Sequence, residues 1–505
     1  MDKMKGRPKG RWKRIIGAIL FLLLVIATAS FIWGVLNFGN ISLQEIIFTL
    51  NMPLVGSSDS MILGYLWKGF VPGLLCGTAL LFLWIQIRKK KIWERFRKWI
   101  PLGIIFWTGL LFFFANQAFD IIPYLQGQWQ RSSFIAEHYR DPKETALNFP
   151  EKKRNLIYIL MESAETGLQD QAHGGLFDVN YIPKMTQLAE ENVAFSQNDA
   201  LYGAAVAPAS GWTIAGMVSG WAGLPLKLFE YNDMTTDNSM GRYQYFLPGA
   251  TMLGDILERE GYQNVFMCGS DIRFGGRDRM LTQHGNYEIL DYQKARELGR
   301  IPKDYKVWWG MEDEKVYEWA KEEILELAQG DRPFNFSMLT ADTHHVDGYL
   351  SPNAPTPHDK HYANVWSFAS DQVYDMVQWI QKQDFYENTT IVIAGDHCSM
   401  DPNFFSAFPY NKHSGETVRR VYNCYINSAV QIPEQREKNR SFVTQDFFPT
   451  TLASLGVRIE GERLGLGTNL FSETPTLAES LGYSELFTEL NKYSKFYNQE
   501  ILRKK

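Results

Sequence analysis

The chain has 505 residues, a formal net charge of −5 and a pI near 6.1, with 45% hydrophobic and 21% charged side chains. That length accommodates a large core and more than one domain, and the mild acidity offers no basic footprint for nucleic acid. Four cysteines (Cys76, Cys268, Cys398 and Cys424) are too few for a disulfide scaffold of this size, although a Cys268–Cys424 bridge stays open.

Charge is distributed unevenly along the N-terminal part. Residues 1–14 carry seven basic side chains against one Asp, and residues 88–98 carry seven against one Glu. Residues 38–60 contain Glu45 and Asp59 and no Lys or Arg. Three hydrophobic runs lie in this frame, Ile15–Leu36, Phe70–Ile87 and Trp99–Ala118. Each is long enough to cross a hydrocarbon core of about 30 Å, given some tilt. The first is too long for a simple signal peptide and lacks a small-residue cleavage site. The second could instead be an interfacial helix. The positive-inside rule keeps both basic segments in the cytoplasm and delivers everything after residue 120 to the outside. The expected division is a membrane domain over 1–120, a juxtamembrane linker over 121–150 and an extracytoplasmic domain over 151–505.

Beyond the linker, apolar strand patterns alternate with helical ones. Strands are expected at 155–163 (NLIYILMES), 263–271, 334–345 and 389–397 (TTIVIAGDH). Helices are expected around 184–192, 252–262, 312–330 and 367–383, with Gly261 stopping the second. Apolar strands interleaved with helices imply an α/β domain whose central, mostly parallel sheet is flanked by helices. The four strands end in Glu162-Ser163, Asp271 with Arg273, Asp342-Thr343-His344-His345, and Asp396-His397. Ligands of open α/β sheets bind outside the carboxyl ends of the strands, so these endings read as one site. Glu162, Asp396 and His397 offer oxygen and imidazole donors that suit Mn²⁺, Mg²⁺ or Zn²⁺. Read blandly, Glu162 is a helix-start acid and His397 a structural histidine.

Between Asp199 and Lys227 there is no charged residue. Pro208 and Gly211 break this stretch, and a fourth span would return the rest of the chain to the cytoplasm. The expected arrangement is a loop over 200–211 followed by a short buried helix opened by Thr213. A hydroxyl there would face the free N–H groups of a helix N-terminus and could act as a nucleophile beside a metal. Its plain alternative is an N-cap, worth about 1 kcal/mol. In DIRFGGRDRM (271–280), Arg273 and Arg277 beside glycines could grip a phosphate, or one of them could pair with Asp271 or Asp278. His344 and His345 could donate to phosphate or move protons near neutral pH, and one of the two could be structural.

Taken together, NLIYILMES, GWTIAGMVSGWAGLPL, GDILEREGYQNVFMCGSDIRFGGRDRM, LTADTHHVDGYLS, IVIAGDH and DFFPTTLASLG resemble the sulfatase-like branch of the alkaline phosphatase superfamily. Within it the match is to lipoteichoic acid synthases and to phosphoglycerol transferases that decorate periplasmic glucans. The resemblance implies one divalent metal ion, Mn²⁺ or Mg²⁺, at Glu162, Thr213, Asp396 and His397, with Thr213 as nucleophile. It places Arg277 at a phosphoglycerol-binding position and His344 against the transferred group, leaving Arg273, His345 and Trp212 as further candidate substrate contacts. Trp212 and His413 could shape an acceptor pocket. The implied activity moves glycerol phosphate from phosphatidylglycerol to a glycan or a glycerophosphate polymer. A phosphoethanolamine transferase and a non-catalytic polymer-binding scaffold are the alternatives. Formylglycine-dependent sulfatases need a Cys/Ser-x-Pro-x-Arg pattern that Pro208-Ala-Ser-Gly-Trp-Thr does not offer, and lipoteichoic acid synthases usually carry five spans rather than three.

Overall fold

The computed structural model describes residues 11–39, 41–51, 55–56, 59–90, 94–95, 98–200, 203–227, 245–408, 419–432 and 434–503. It divides into two compact units, Met1–Ser42 with Ser57–Ile122, and Leu43–Gly56 with Pro123–Lys505.

The first unit is helical. Helix α1 spans Arg11–Phe38, α3 spans Val71–Ile87 and α4 spans Ile100–Phe119, while α2 (Leu43–Asn51) belongs to the other unit. Three stretches are long and apolar enough to cross a membrane: Ile15–Phe38, Met61–Ile87 and Ile100–Phe119. The second begins nine residues before the expected Phe70, because the helix carries through Lys68 without a break. Helices α1 and α3 meet where α3 has no side chains. A Cβ on Gly73 would lie 2.9 Å from Ala29 Cβ, and one on Gly77 would overlap Leu22 Cδ1. Small residues four apart are the usual device for close helix approach between apolar helices.

In the second unit a six-stranded sheet is formed by β1 (Asn155–Met161), β2 (Gln263–Cys268), β3 (Glu288–Leu290), β4 (Phe334–Leu339), β5 (Thr389–Gly395) and β6 (Asn423–Ile426). Their order is β3-β2-β4-β1-β5-β6, all parallel except β6, which runs antiparallel to β5 at the edge. The four long strands are the four expected from the sequence, each ending a few residues sooner than its apolar run. Strands β3 and β6 are three and four residues long, too short to carry a periodic signal.

Strand β1 shows why the sheet is apolar throughout. Leu156, Tyr158 and Leu160 enter one core, with Met217, Val218 and Trp221 of α6 (Thr213–Ala222), Leu257 of α7 (Leu253–Arg259) and Phe448 of α10 (Phe447–Ser454). Ile157, Ile159 and Met161 enter the opposite core, with Met185 of α5 (Pro183–Glu191), Val316 of α8 (Asp313–Ala328) and Val373 of α9 (His361–Ile380). Alternate side chains of a strand face opposite ways, so a strand covered on both faces has no polar side. Helix α7 ends as expected before Gly261, which takes a left-handed φ of 84°. All four cysteines are free, so Cys268 and Cys424 are not bridged.

The register then positions the site. Leu160 pairs with Leu339 on one side, and Met161 with Gly395 on the other. Strands β4, β1 and β5 therefore end level, and the residues that follow them converge.

Candidate active site at the strand ends

Glu162, directly after β1, is buried with Asp396 and His397, directly after β5. Among the described residues these three form the one group of acidic, His or Cys side chains whose donor atoms all lie within 4.8 Å of one another. His397 Nε2 lies 3.3 Å from Glu162 Oε1 and 3.4 Å from Asp396 Oδ2. The His397 Nδ1–H donates to the Cys398 carbonyl at 2.9 Å, which turns Nε2 toward the carboxylates. Ser163, in a left-handed conformation (φ 61°), ties the two strand ends together. Its N–H donates to Asp396 Oδ1 at 2.8 Å and its hydroxyl to Glu162 Oε1 at 2.8 Å.

Charge in this cluster is strongly mutual. Burial opposes a charged His397, but the Asp396 and Glu162 carboxylates outweigh it and push the imidazole up to about 10. Burial also raises Asp396 to about 7, with the Glu162 charge adding to the effect. For Glu162 burial acts upward, and His397 with His344 overcomes it to hold the carboxyl below its ordinary value. Asp396 Oδ2 is buried and has no hydrogen-bond partner among the described residues. Two carboxylates and an imidazole nitrogen, with one oxygen left over, form a donor set suited to Mn²⁺, Mg²⁺ or Zn²⁺.

Thr213 is the first residue of α6, and the capping position falls on Trp212. The threonine hydroxyl does not cap its own helix. It donates instead to Glu162 Oε2 at 3.1 Å, 51 residues away in sequence. The glycine three residues on explains how α6 comes so close. A Cβ on Gly216 would lie 2.2 Å from the Asp396 carbonyl oxygen. Gly216→Ala should therefore push α6 off the β5 loop, costing about 1–3 kcal/mol from overpacking. Thermal unfolding of the purified variant would show the loss.

The two arginines separate. Arg273 is half-exposed and paired with Asp271, through Nε to Oδ1 at 2.9 Å and Nη2 to Oδ2 at 2.6 Å. Arg277 is buried and held by its own loop. Its Nη2 donates to Ser270 Oγ at 3.0 Å and the Asp271 carbonyl at 2.9 Å, and its Nε to the Phe274 carbonyl at 3.0 Å. The ion-pair alternative thus describes Arg273, and Arg277 is the pre-set cation. Its charge is among the influences on His344.

His344 and His345 stack, with centroids 4.6 Å apart, and His344 packs on Trp309 at 4.7 Å. Burial lowers His344, against the pull of Glu162, and lowers His345 well below its ordinary value. The His344 Nδ1–H donates to the His345 carbonyl at 2.6 Å, so a neutral His344 keeps an Nε2 lone pair. His345 is the more deeply buried of the two. His413 lies outside the described residues.

Several supporting residues are absent from the sequence reading. Trp309 reaches His344 from a loop between sheet strands, and the Phe274 ring lies 5.1 Å from that of Trp309. Asp313, at the start of α8, accepts from the N–H groups of Ala341 and Asp342 at 2.8 and 2.9 Å, and Asp342 Oδ2 accepts from the Asp313 N–H at 3.0 Å. This reciprocal pair fixes the chain that leads into Thr343 and His344. Acids at a helix start are common enough to hide such a role.

The buried Asp313–Asp342 pair holds a proton that the unfolded chain releases near pH 4. Burial pushes Asp313 up to about 7, with the Glu162 and Glu312 charges adding to it, and pushes Asp342 well above its ordinary value, with the Asp313 charge adding to it. Stability linked to this pair is full below the unfolded value and is lost as pH rises through about 7. Melting temperature should fall more steeply from about pH 6 to 8 in the native chain than in Asp342→Asn, where Asp342's share of the proton exchange is gone.

The Sulfatase family model matches residues 154–457, more than half of the chain and all four of the strand ends described above. The chain belongs to the sulfatase family. This agrees with the resemblance carried by GWTIAG and DTHH. Within the family, phosphoglycerol transferase I of Xanthomonas campestris pv. campestris (strain B100) is 27% identical over 494 residues, covering 94% of this chain and 64% of that protein. Phosphoglycerol transferase I of Escherichia coli O6:H1 is 28% identical over 478 residues, covering 91% of this chain and 56% of that protein. The chain thus spans about three fifths of the relatives it matches. A solved member of the alkaline phosphatase superfamily from Vibrio parahaemolyticus shares the fold, with a TM-score of 0.50, 18% identity, and coverage of 68% of this chain and 76% of that one.

Proposed function

We propose that this chain is a membrane-anchored, metal-dependent phosphoglycerol transferase. The observation that carries the reading is the Thr213 hydroxyl, which is turned onto Glu162 in a metal-suited cluster instead of capping its own helix. The relatives named phosphoglycerol transferase I support the choice of transferred group. In this reading Glu162, Asp396, His397 and Thr213 hold one Mn²⁺ or Mg²⁺. A bound divalent ion lowers the proton affinity of a ligating hydroxyl and neutralises phosphoryl charge.

The residues then divide the work. Thr213 Oγ1 attacks the phosphorus of phosphatidylglycerol, the bond to the diacylglycerol oxygen breaks, and diacylglycerol leaves with a proton. A glycerophosphoryl-threonine remains. An acceptor hydroxyl, on an envelope glycan or a glycerophosphate chain, displaces Thr213 in the second half. Arg277, fixed by its own loop, offers its charge to the phosphoryl oxygens without reorganising. His344, with its Nε2 lone pair, takes the proton of the acceptor hydroxyl, and the proton passes on to the departing Thr213 oxygen, which restores both groups. The three apolar helices hold the site at the headgroups, with the N-terminus in the cytoplasm and the second unit on the outer side of the cytoplasmic membrane.

The test is diacylglycerol release by the full chain from vesicles of phosphatidylglycerol or phosphatidylethanolamine, with Mn²⁺, with Mg²⁺ and with chelator. Release from phosphatidylglycerol that stops with chelator is expected. Release from phosphatidylethanolamine alone would favour a phosphoethanolamine transferase, and release from neither lipid would overturn the reading.

A further inference from the structure

The segment between the first two apolar helices is built into the second unit. Leu43–Gly56 groups with Pro123–Lys505 and not with the helices it connects. Its helix α2, LQEIIFTLN, buries Phe48 to 5% exposure in the core that also holds Trp212, Ile214 and Met217. The Phe48 ring sits 5.4 Å from that of Trp212, tilted at 47°. Gln44 Nε2 donates to the Leu226 carbonyl at 3.1 Å, just beyond α6. At the far end Gly56 takes φ 81°, and a Cβ there would lie 3.1 Å from Phe274 Cβ and 3.2 Å from Asp271 Cβ.

Phe48 and Gly56 thus touch two places that matter. One is the residue before Thr213, and the other is the loop that fixes Arg277. Trp212 is itself 7% exposed, and its indole N–H has no hydrogen-bond partner among the described residues. A buried donor without a partner is costly, and such groups call for an explanation where they occur. Beside a nucleophile, an oxygen of the substrate is the natural partner. An aromatic contact on the ring's apolar surface holds the indole without using its N–H.

We propose that Phe48 is a positioning residue for the donor step, and that helix α2 (Leu43–Asn51) with Gly56 forms a wall of the donor-headgroup site. It acts through Trp212, whose indole N–H donates to an oxygen of the phosphoglycerol headgroup as Thr213 attacks. This rests on the transferase reading. Misplacing a positioned group by about 1 Å can cost 10²-fold in rate, so Phe48→Ala should lower kcat for diacylglycerol release by roughly 10- to 100-fold. Phe48→Tyr, which keeps the ring, should retain most of the rate. Because Phe48 acts through Trp212, the two defects should not add. Phe48→Ala made in a Trp212→Phe background should cost less than about threefold more.

The experiment uses the full chain in mixed phosphatidylglycerol and phosphatidylcholine vesicles, with hydrogen exchange followed on the same variants. A fall in kcat with non-additive coupling to Trp212, in a variant whose melting temperature falls but stays well above the assay temperature, supports the proposal. Full additivity, or an unchanged kcat in Phe48→Ala, overturns it. Exchange judges the docking without any turnover. Slow exchange over 43–51 that becomes fast in Phe48→Ala, together with 212–214, supports it, and fast exchange over 43–51 in the native chain overturns it. Absent release by the native chain would instead sink the transferase reading, and exchange alone would then decide the docking.

Discussion

Thr213→Ala is expected to lower headgroup transfer by roughly 10⁴-fold or more, the scale on which removal of a covalent nucleophile acts. The fold should survive the change. Thr213 lies at the first position of α6 and caps nothing, so its hydroxyl contributes little to helix stability. Its bond is to Glu162, and the residue is only half-buried. Thr213→Ser should keep a measurable fraction of the rate, because the hydroxyl remains and only a methyl group is lost. Diacylglycerol release and melting temperature, measured on the same preparations, separate a chemical loss from an unfolded protein. Loss of activity in Thr213→Ala with an equal loss of fold would remove the argument.

Arg419→Ala should be the most damaging single change for stability among those considered, at about 3–5 kcal/mol, as for other buried pairs broken from one side. Arg419 and Glu165 are both buried, and the contact is two-pronged, with Nε to Oε1 at 3.1 Å and Nη2 to Oε2 at 2.9 Å. Burial raises Glu165 while the Arg419 charge acts against it. With the guanidinium gone, the carboxyl must take up a proton or stay charged without its partner. Arg419 Nη2 also donates to the Ser399 carbonyl at 2.5 Å, and Ser399 lies two residues beyond His397. The same substitution should therefore weaken Mn²⁺ binding as well as stability. The double variant Glu165→Gln/Arg419→Met removes both charges and should be less damaging than Arg419→Ala alone. Chemical denaturation and Mn²⁺ titration of the three proteins check both parts.

Much of this fold is legible in the sequence. Strands buried on both faces announce themselves as unbroken apolar runs, so β1, β2, β4 and β5 and their polar endings could be read directly. The charge-free stretch around Thr213 follows from the same logic, since a helix seated on the sheet has no face for a charge. What was not legible depends on distant partners. The antiparallel edge strand β6 is too short to show a period. Glu165 and Arg419 are 254 residues apart, and neither reads as anything but a charged residue until the fold brings them together. Segment 43–56 is the largest omission. Its lack of Lys and Arg suggests an outer loop, and only the burial of Phe48 beside Trp212 makes it part of the second unit.

The central claim is a covalent glycerophosphoryl group on Thr213. The full chain, mixed with phosphatidylglycerol and Mn²⁺ without acceptor and quenched rapidly in acid, can be digested and mapped by mass spectrometry. The account predicts a glycerol phosphate adduct on the peptide holding Thr213, lost on adding an acceptor glycan and absent from Thr213→Ala. Steady release of diacylglycerol with no adduct at Thr213, or with the adduct on another residue, would contradict it.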